Sequence, residues 1–181
     1  MYNKSQEKII NDLTLSNATS FKKISAKNFS KEFLFKCIEL NANIVLSNFP
    51  YKLIDLTEDI SIEIIKKNKY LIEDIPQEHI SYSMACDVVE CDGNLLDAIP
   101  LTLMDKELCL KAVNSKGFML RNVPLNLRDK EICLTAIKNN DMAIDYIPFD
   151  LKNDEFYLEA YSVNKSVFNS LPKRLRDICV N

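Results

Sequence analysis

Apolar residues in this chain recur with a helical period and break at regular intervals. After Asp105, the run Lys106-Glu107-Leu108-Cys109-Leu110-Lys111-Ala112-Val113 puts apolar side chains at positions three, four, seven and eight, one stripe of an α-helix. A similar spacing starts from Ser30, Thr57, Ser81, Asp129 and Asn153. All six starting residues carry a side-chain oxygen that can satisfy a free amide at a helix start. In five copies an acid follows two positions later (Glu32, Asp59, Glu107, Glu131, Glu155), where negative charge suits the helix dipole. Position five is apolar too, in Phe35, Ile62, Cys86, Leu110, Leu134 and Leu158. A stripe that wide predicts a helix covered on more than one side. Small residues at position seven (Cys37, Ala112, Ala136, Ala160) would let helices approach closely.

A turn follows, and both glycines, Gly93 and Gly117, fall in one column of it. Asn68, Asn140 and Asn164 stand just before that column in other copies. Gly and Asn tolerate positive φ, so the first helix is predicted to end here. A second apolar segment, such as Phe118-Met119-Leu120-Arg121-Asn122-Val123, predicts about two turns of α or 3₁₀ helix. A proline closes it by removing an amide donor and restricting its predecessor. The six prolines stand at 50, 76, 100, 124, 148 and 172, with spacings of 26, 24, 24, 24 and 24. Three residues on, Leu53, Leu103, Leu127, Leu151 and Leu175 should return the chain to the core, with His79 the exception.

These columns predict an all-α fold, an α-solenoid of about seven short helix-turn-helix repeats (α/α or α/3₁₀) with period 24. The copies are 30–56, 57–80, 81–104, 105–128, 129–152 and 153–176. A degenerate first copy covers 5–29, starting near Ser5 and ending with Ile24-Ser25 where Ile-Pro stands elsewhere, and 177–181 begins another unit. The whole chain, 1–181, reads as a single solenoid domain.

Asp129-Lys130-Glu131-Ile132-Cys133-Leu134-Thr135-Ala136-Ile137-Lys138-Asn139-Asn140 and Asp105-Lys106-Glu107-Leu108-Cys109-Leu110-Lys111-Ala112-Val113 resemble the copies of a bacterial helical-repeat family of unknown function. The likeness is best over 105–152 and fades toward both ends; the chain has Ile-Pro where that family often has Ala-Ser. The resemblance implies an interaction scaffold of the kind found in effector-type and mobile-element proteins. It carries no catalytic residues to transfer.

Composition narrows the chemistry. Two glycines, one histidine and no tryptophan in 181 residues exclude Gly-rich phosphate loops and thin out catalytic and metal options. A net charge of −3 gives no basic footprint for a nucleic-acid backbone. The N-terminal Met1-Tyr2-Asn3-Lys4-Ser5-Gln6 lacks a signal-peptide core and no apolar run reaches a membrane span, so a cytoplasmic address is expected, including the cytosol of a host cell. The six cysteines (37, 86, 91, 109, 133, 179) form no C-x-x-C pair. Cys37, Cys86, Cys109 and Cys133 fall in helix-face columns, where free cysteine acts as a small apolar filler. His79, Cys86, Cys91 and Asp92 have zinc-ligand chemistry, but their spacing matches no finger pattern. No nucleophile motif adjoins the histidine. The expectation is a protein that is not an enzyme, with no cofactor and no metal.

One irregularity points to function. From Tyr70 to Asp105 there is no Lys or Arg, while Glu73, Asp74, Glu78, Asp87, Glu90, Asp92 and Asp97 accumulate negative charge. Glu73 and Asp97 share a column, three residues before a proline, and are expected to be neighbours on one surface. Such a run is either an ordinary solvated face or a patch that steers a basic protein partner, one that itself grips nucleic acid. The leading expectation is protein binding in an inhibitor, immunity or effector-adaptor role. Nucleic-acid binding along the solenoid is the alternative, though its exposed columns lack repeated basic and stacking positions. A carboxylate- or metal-dependent enzyme on the same scaffold is the third. The oligomeric state is not legible in the sequence.

Overall fold

The computed structural model describes residues 2–25, 29–48 and 56–179, which form helices and turns with no strand among them. They fall into two compact units, residues 1–84 and 85–181.

In the first unit, α1 (Lys4–Thr14), α2 (Lys31–Ser47) and α3 (Glu58–Lys67) pack in chain order. The cap of α1 is Asn3, two residues before Ser5. Its Oδ1 accepts from the Ser5 and Gln6 amides at 3.0 Å, and the Gln6 side chain accepts from the Asn3 amide at 2.9 Å. α2 is broken at Asn41 (φ −159°, ψ 85°), eleven residues after its cap. Asn68, Asp92, Lys116, Asn140 and Asn164 occupy the same column, and α3 is followed there by a 3₁₀ segment, Lys69–Asp74. The predicted turn in copy 30–56 is therefore present, but its second segment is α-helical. Pro50 and Leu53 lie outside the described residues.

The second unit holds most of α4 (Tyr82–Cys91), then α5 (Lys106–Ser115), α6 (Lys130–Asn139) and α7 (Asp154–Val163), each ten residues long. Six-residue 3₁₀ segments follow them at Gly93–Ala98, Gly117–Asn122, Asp141–Tyr146 and Lys165–Ser170. α5 packs on α6 and α6 on α7, while the 3₁₀ segments pack on one another in the same order.

The predicted caps form. Ser30, Ser81, Asp105, Asp129 and Asn153 accept through their side chains from the amide three residues on, at 3.2, 3.4, 2.8, 2.9 and 2.9 Å. Thr57 is the exception, its hydroxyl donating instead to the Asp59 carboxylate. The core columns also form: Leu108, Cys109, Ala112, Val113, Ile132, Cys133, Ala136 and Ile137 are all 0% exposed. Position five does not join them. Phe35, Ile62, Cys86, Leu110 and Leu134 are half-buried and Leu158 is exposed. At about 100° per residue, position five lies roughly 130° from the middle of the four-column stripe, beyond the reach of the neighbouring helices.

Two further readings change. The prolines end the second segment and also start a third. Pro76, Pro100, Pro124 and Pro148 each precede a three-residue 3₁₀ turn, their carbonyls accepting from the third amide on at 2.9, 3.0, 2.9 and 3.1 Å. This turn leaves His79, Leu103, Leu127 and Leu151 only half-buried, and among the described members of that column Leu175 alone is fully buried. After Pro172 the chain enters α8 (Lys173–Cys179), which runs straight through Asp177, where the periodicity placed a new unit.

The glycines sit where the first helix has ended, but for a different reason. Neither has positive φ. The break is made by extended residues ahead of them, Asp92 at φ −151° and Lys116 at φ −143°, and each glycine opens the 3₁₀ segment. What requires glycine is contact with the next helix. A Cβ on Gly93 would stand 2.4 Å from the Ala112 carbonyl oxygen, and one on Gly117 2.2 Å from that of Ala136. Their amides donate to Ser115 Oγ at 3.1 Å and Asn139 Oδ1 at 2.7 Å. Gly117→Ala is therefore expected to destabilise the protein by ~1–3 kcal/mol, the usual cost of overpacking. Asn139→Ala, which orphans a part-buried amide, should cost about 1 kcal/mol. Urea unfolding monitored by circular dichroism measures both, and a Gly117→Ala midpoint equal to wild type would contradict the close contact.

Candidate functional site

The acidic residues singled out by the sequence are held outward by the apolar residues beside them. In the first unit, Asn68 accepts from the Tyr70 amide at 3.1 Å and starts the 3₁₀ segment. Burial of Leu71, Ile72 and Ile75 then turns Glu73 and Asp74 to solvent, and Glu78 is exposed in the turn after Pro76. In the second unit, Ala85, Val88 and Val89 bury one face of α4, leaving Asp87 and Glu90 exposed on the other. Glu90 is engaged by Lys111 of α5 at 3.1 Å. Asp92 is half-buried and caps the Asn94 amide at 3.1 Å, and exposed Asp97 accepts from the Asn122 side chain. Two of the four acids of the second unit, Glu90 and Asp97, thus also tie their copy to the next copy, and Asp92 caps its own segment.

A second feature was not read from the sequence. The first residue after the proline is apolar and exposed in three successive copies: Leu101 at 73%, Leu125 at 68% and Phe149 at 91%. Its signal was an apolar column beside the proline, hidden because the leucine two residues further on had already been assigned to the core. Close by in the chain lie the first turns of α5, α6 and α7. There Lys106 Nζ reaches Asp129 at 2.6 Å and Glu131 at 2.7 Å, and Lys130 Nζ reaches Glu159 at 2.6 Å and Glu155 at 3.5 Å. Hydrogen bonds to its two carboxylates push the Lys106 pKa up to about 12. All these groups are largely exposed, so solvent screens each pair and its contribution to stability is small. Arg128 is turned inward instead, donating to the carbonyls of Val123 (2.7 Å), Arg121 (2.8 Å) and Tyr146 (2.9 Å).

The cysteines divide. Cys37, Cys109 and Cys133 are fully buried, and burial pushes their thiols up to about 12, about 11 and about 12. All six are free. Cys86 leaves the core because it occupies position five; Cys91 is exposed and Cys179 half-buried. His79 is half-buried in the first unit. Among the described residues no group of three or more His, Cys, Asp or Glu side chains is placed to hold a metal ion, and no helix among them is long and apolar enough to cross a membrane. Alkylation at about pH 8, where a thiol so far raised holds almost no thiolate, should separate these classes. Mass mapping of the native protein after brief iodoacetamide treatment should find Cys91 labelled first, and Cys37, Cys109 and Cys133 only after denaturation.

Comparison with curated proteins and with solved structures gives no match. Residues 129–176, from the cap of α6 into α8, are similar to a family described as Domain of unknown function (DUF4116).

Proposed function

We propose that the chain is a non-enzymatic α-solenoid of about seven 24-residue units that binds a protein partner in the cytosol, in an inhibitor, immunity or effector-adaptor role. The observation that carries this reading is the run from Tyr70 to Asp105 without a single Lys or Arg, in which Glu73, Asp74, Glu78, Asp87, Glu90 and Asp97 are exposed and Asp92 is half-buried. Exposed carboxylates of one sign steer a basic partner and raise its rate of encounter. Such a field is screened beyond about 8 Å at physiological ionic strength, so capture should be salt-sensitive.

The reading is tested by affinity capture from the source cells with the wild-type chain and with a Glu73→Lys, Asp74→Lys, Asp97→Lys variant, across a salt series. Wild type should retain a basic protein that the variant loses and that salt releases. Equal capture by both, at all salt concentrations, would reject acidic steering. Saturable binding of single-stranded RNA at physiological salt would instead favour the nucleic-acid alternative.

A further inference from the structure

We infer that the edge of the second unit carrying Leu101, Leu125 and Phe149 is a docking line for a cationic amphipathic α-helix of a protein partner. The inference rests on the reading that the chain binds a protein, but on other residues than Glu73, Asp74 and Asp97. Three large apolar side chains at 73%, 68% and 91% exposure, in the same position of three successive 24-residue copies, form a row rather than a scatter. Isolated exposed apolar residues need no explanation; a row does.

The spacing of that row suits the occupant and excludes a β-strand. α5, α6 and α7 pack one on the next, so equivalent residues stand about 8–10 Å apart, the usual distance between packed helix axes. A helix rises ~1.5 Å per residue, so side chains at i, i+7 and i+14 advance by about 10.5 Å each and stay on one face. An extended strand does not match: three residues advance by about 10 Å, but successive side chains alternate faces. A polyproline II segment, advancing about 9.3 Å per three residues on one face, meets the spacing as well and is therefore a control in the test. A fifteen-residue helix with an apolar residue at every seventh position therefore meets all three anchors.

Charge then fixes the flanks of that helix. The caps and first turns next to the row carry six exposed carboxylates, Asp105, Glu107, Asp129, Glu131, Asp154 and Glu155. Against them, and against exposed Asp150 beside Phe149, stand Lys106 and Lys130, each already reaching two carboxylates, exposed Lys152, and Arg174, which holds Asp154. The rim stays net negative, so the complementary helix carries Lys or Arg beside its apolar stripe. The lysines already present disfavour an acidic helix.

The test uses a synthetic probe. A fifteen-residue peptide with Leu at positions 1, 8 and 15 and Lys flanking that stripe is titrated with the full chain by fluorescence anisotropy. Beside it run a scrambled peptide of equal composition and a proline-rich peptide with the apolar residues every third position. The amphipathic peptide should bind saturably and the two controls should not. Phe149→Ala with Leu125→Ala should weaken binding by about tenfold or more, the scale for removing central anchors. Circular dichroism and melting should be unchanged, since both side chains are exposed. Equal binding of either control, or unaltered affinity of the double variant, overturns the inference. So does a dimer, seen by light scattering, that the double variant abolishes, because the row would then be covered by a second copy. Failure of the peptide while the Glu73, Asp74 and Asp97 reversals still abolish capture would reject this surface and leave the proposed function standing.

Discussion

Burial of each short helix by its neighbour is the interaction on which everything else depends. α5, α6 and α7 are ten residues each, too short to persist alone in water, where isolated helices need about 12–15 residues even to be marginal. Their stability comes from the four apolar columns that close on the next helix. Those columns are completely excluded from water at α5 and α6. A stack of this kind fixes the distance between successive backbones. At two junctions the distance is so short that a 3₁₀ segment meets the next helix backbone to backbone, leaving room only for glycine.

Much of this was legible in the chain. Caps and prolines could be read because each demands a particular side chain for a local reason: an oxygen to accept an orphan amide, or a ring that withholds one. Their structural roles depend on neighbours within a few residues, which a sequence displays. The glycines were located correctly but explained wrongly. Positive φ and close approach both select glycine, and only the position of the Ala112 and Ala136 carbonyls, some twenty residues away, separates the two. Position five failed for a similar reason, since an apolar residue there predicts burial only if a second neighbour covers that side. Leu101, Leu125 and Phe149 are apolar, and their hydrophobicity alone does not tell that the turn after each proline leaves them exposed. Glu73, Asp74 and Asp87 were legible as exposed acids, but the engagement of Glu90 by Lys111 and of Asp97 by Asn122 depends on the next unit.

The junctions also show that one backbone geometry tolerates different side-chain chemistry. At the junction of α5 and α6, Gly117 donates to Asn139, while Asn139 in turn donates to the Asn114 carbonyl at 2.9 Å. At the next junction the glycine column holds Asp141, and Val163 stands where Asn139 stood, with no side-chain acceptor to offer. There Asn164 takes over, donating to the Ile137 carbonyl at 2.7 Å. Arg128 adds a clamp across α6's own junction through the Tyr146 carbonyl. In that column Met104 precedes it and Lys152 follows it. Helix lengths and breaks are nevertheless the same on both sides.

That separation between what the backbone needs and what it tolerates says where function can reside. Caps, the four buried columns and the prolines are constrained by folding, so their side chains carry little information about a partner. In the second unit the residue three before each proline runs Asp97, Arg121, Asp145 and Asn169, and the residue after it runs Leu101, Leu125, Phe149 and Lys173. Neither set is required by the caps or the core, and each changes charge or polarity along the array. A scaffold that repeats its interior while varying its exterior offers a different chemistry at each step along one edge. Recognition by such an edge is read in the order of residues down a column. An apolar stretch bordered by acids, as in the second unit, is one such sequence of chemistries, and it requires no pocket.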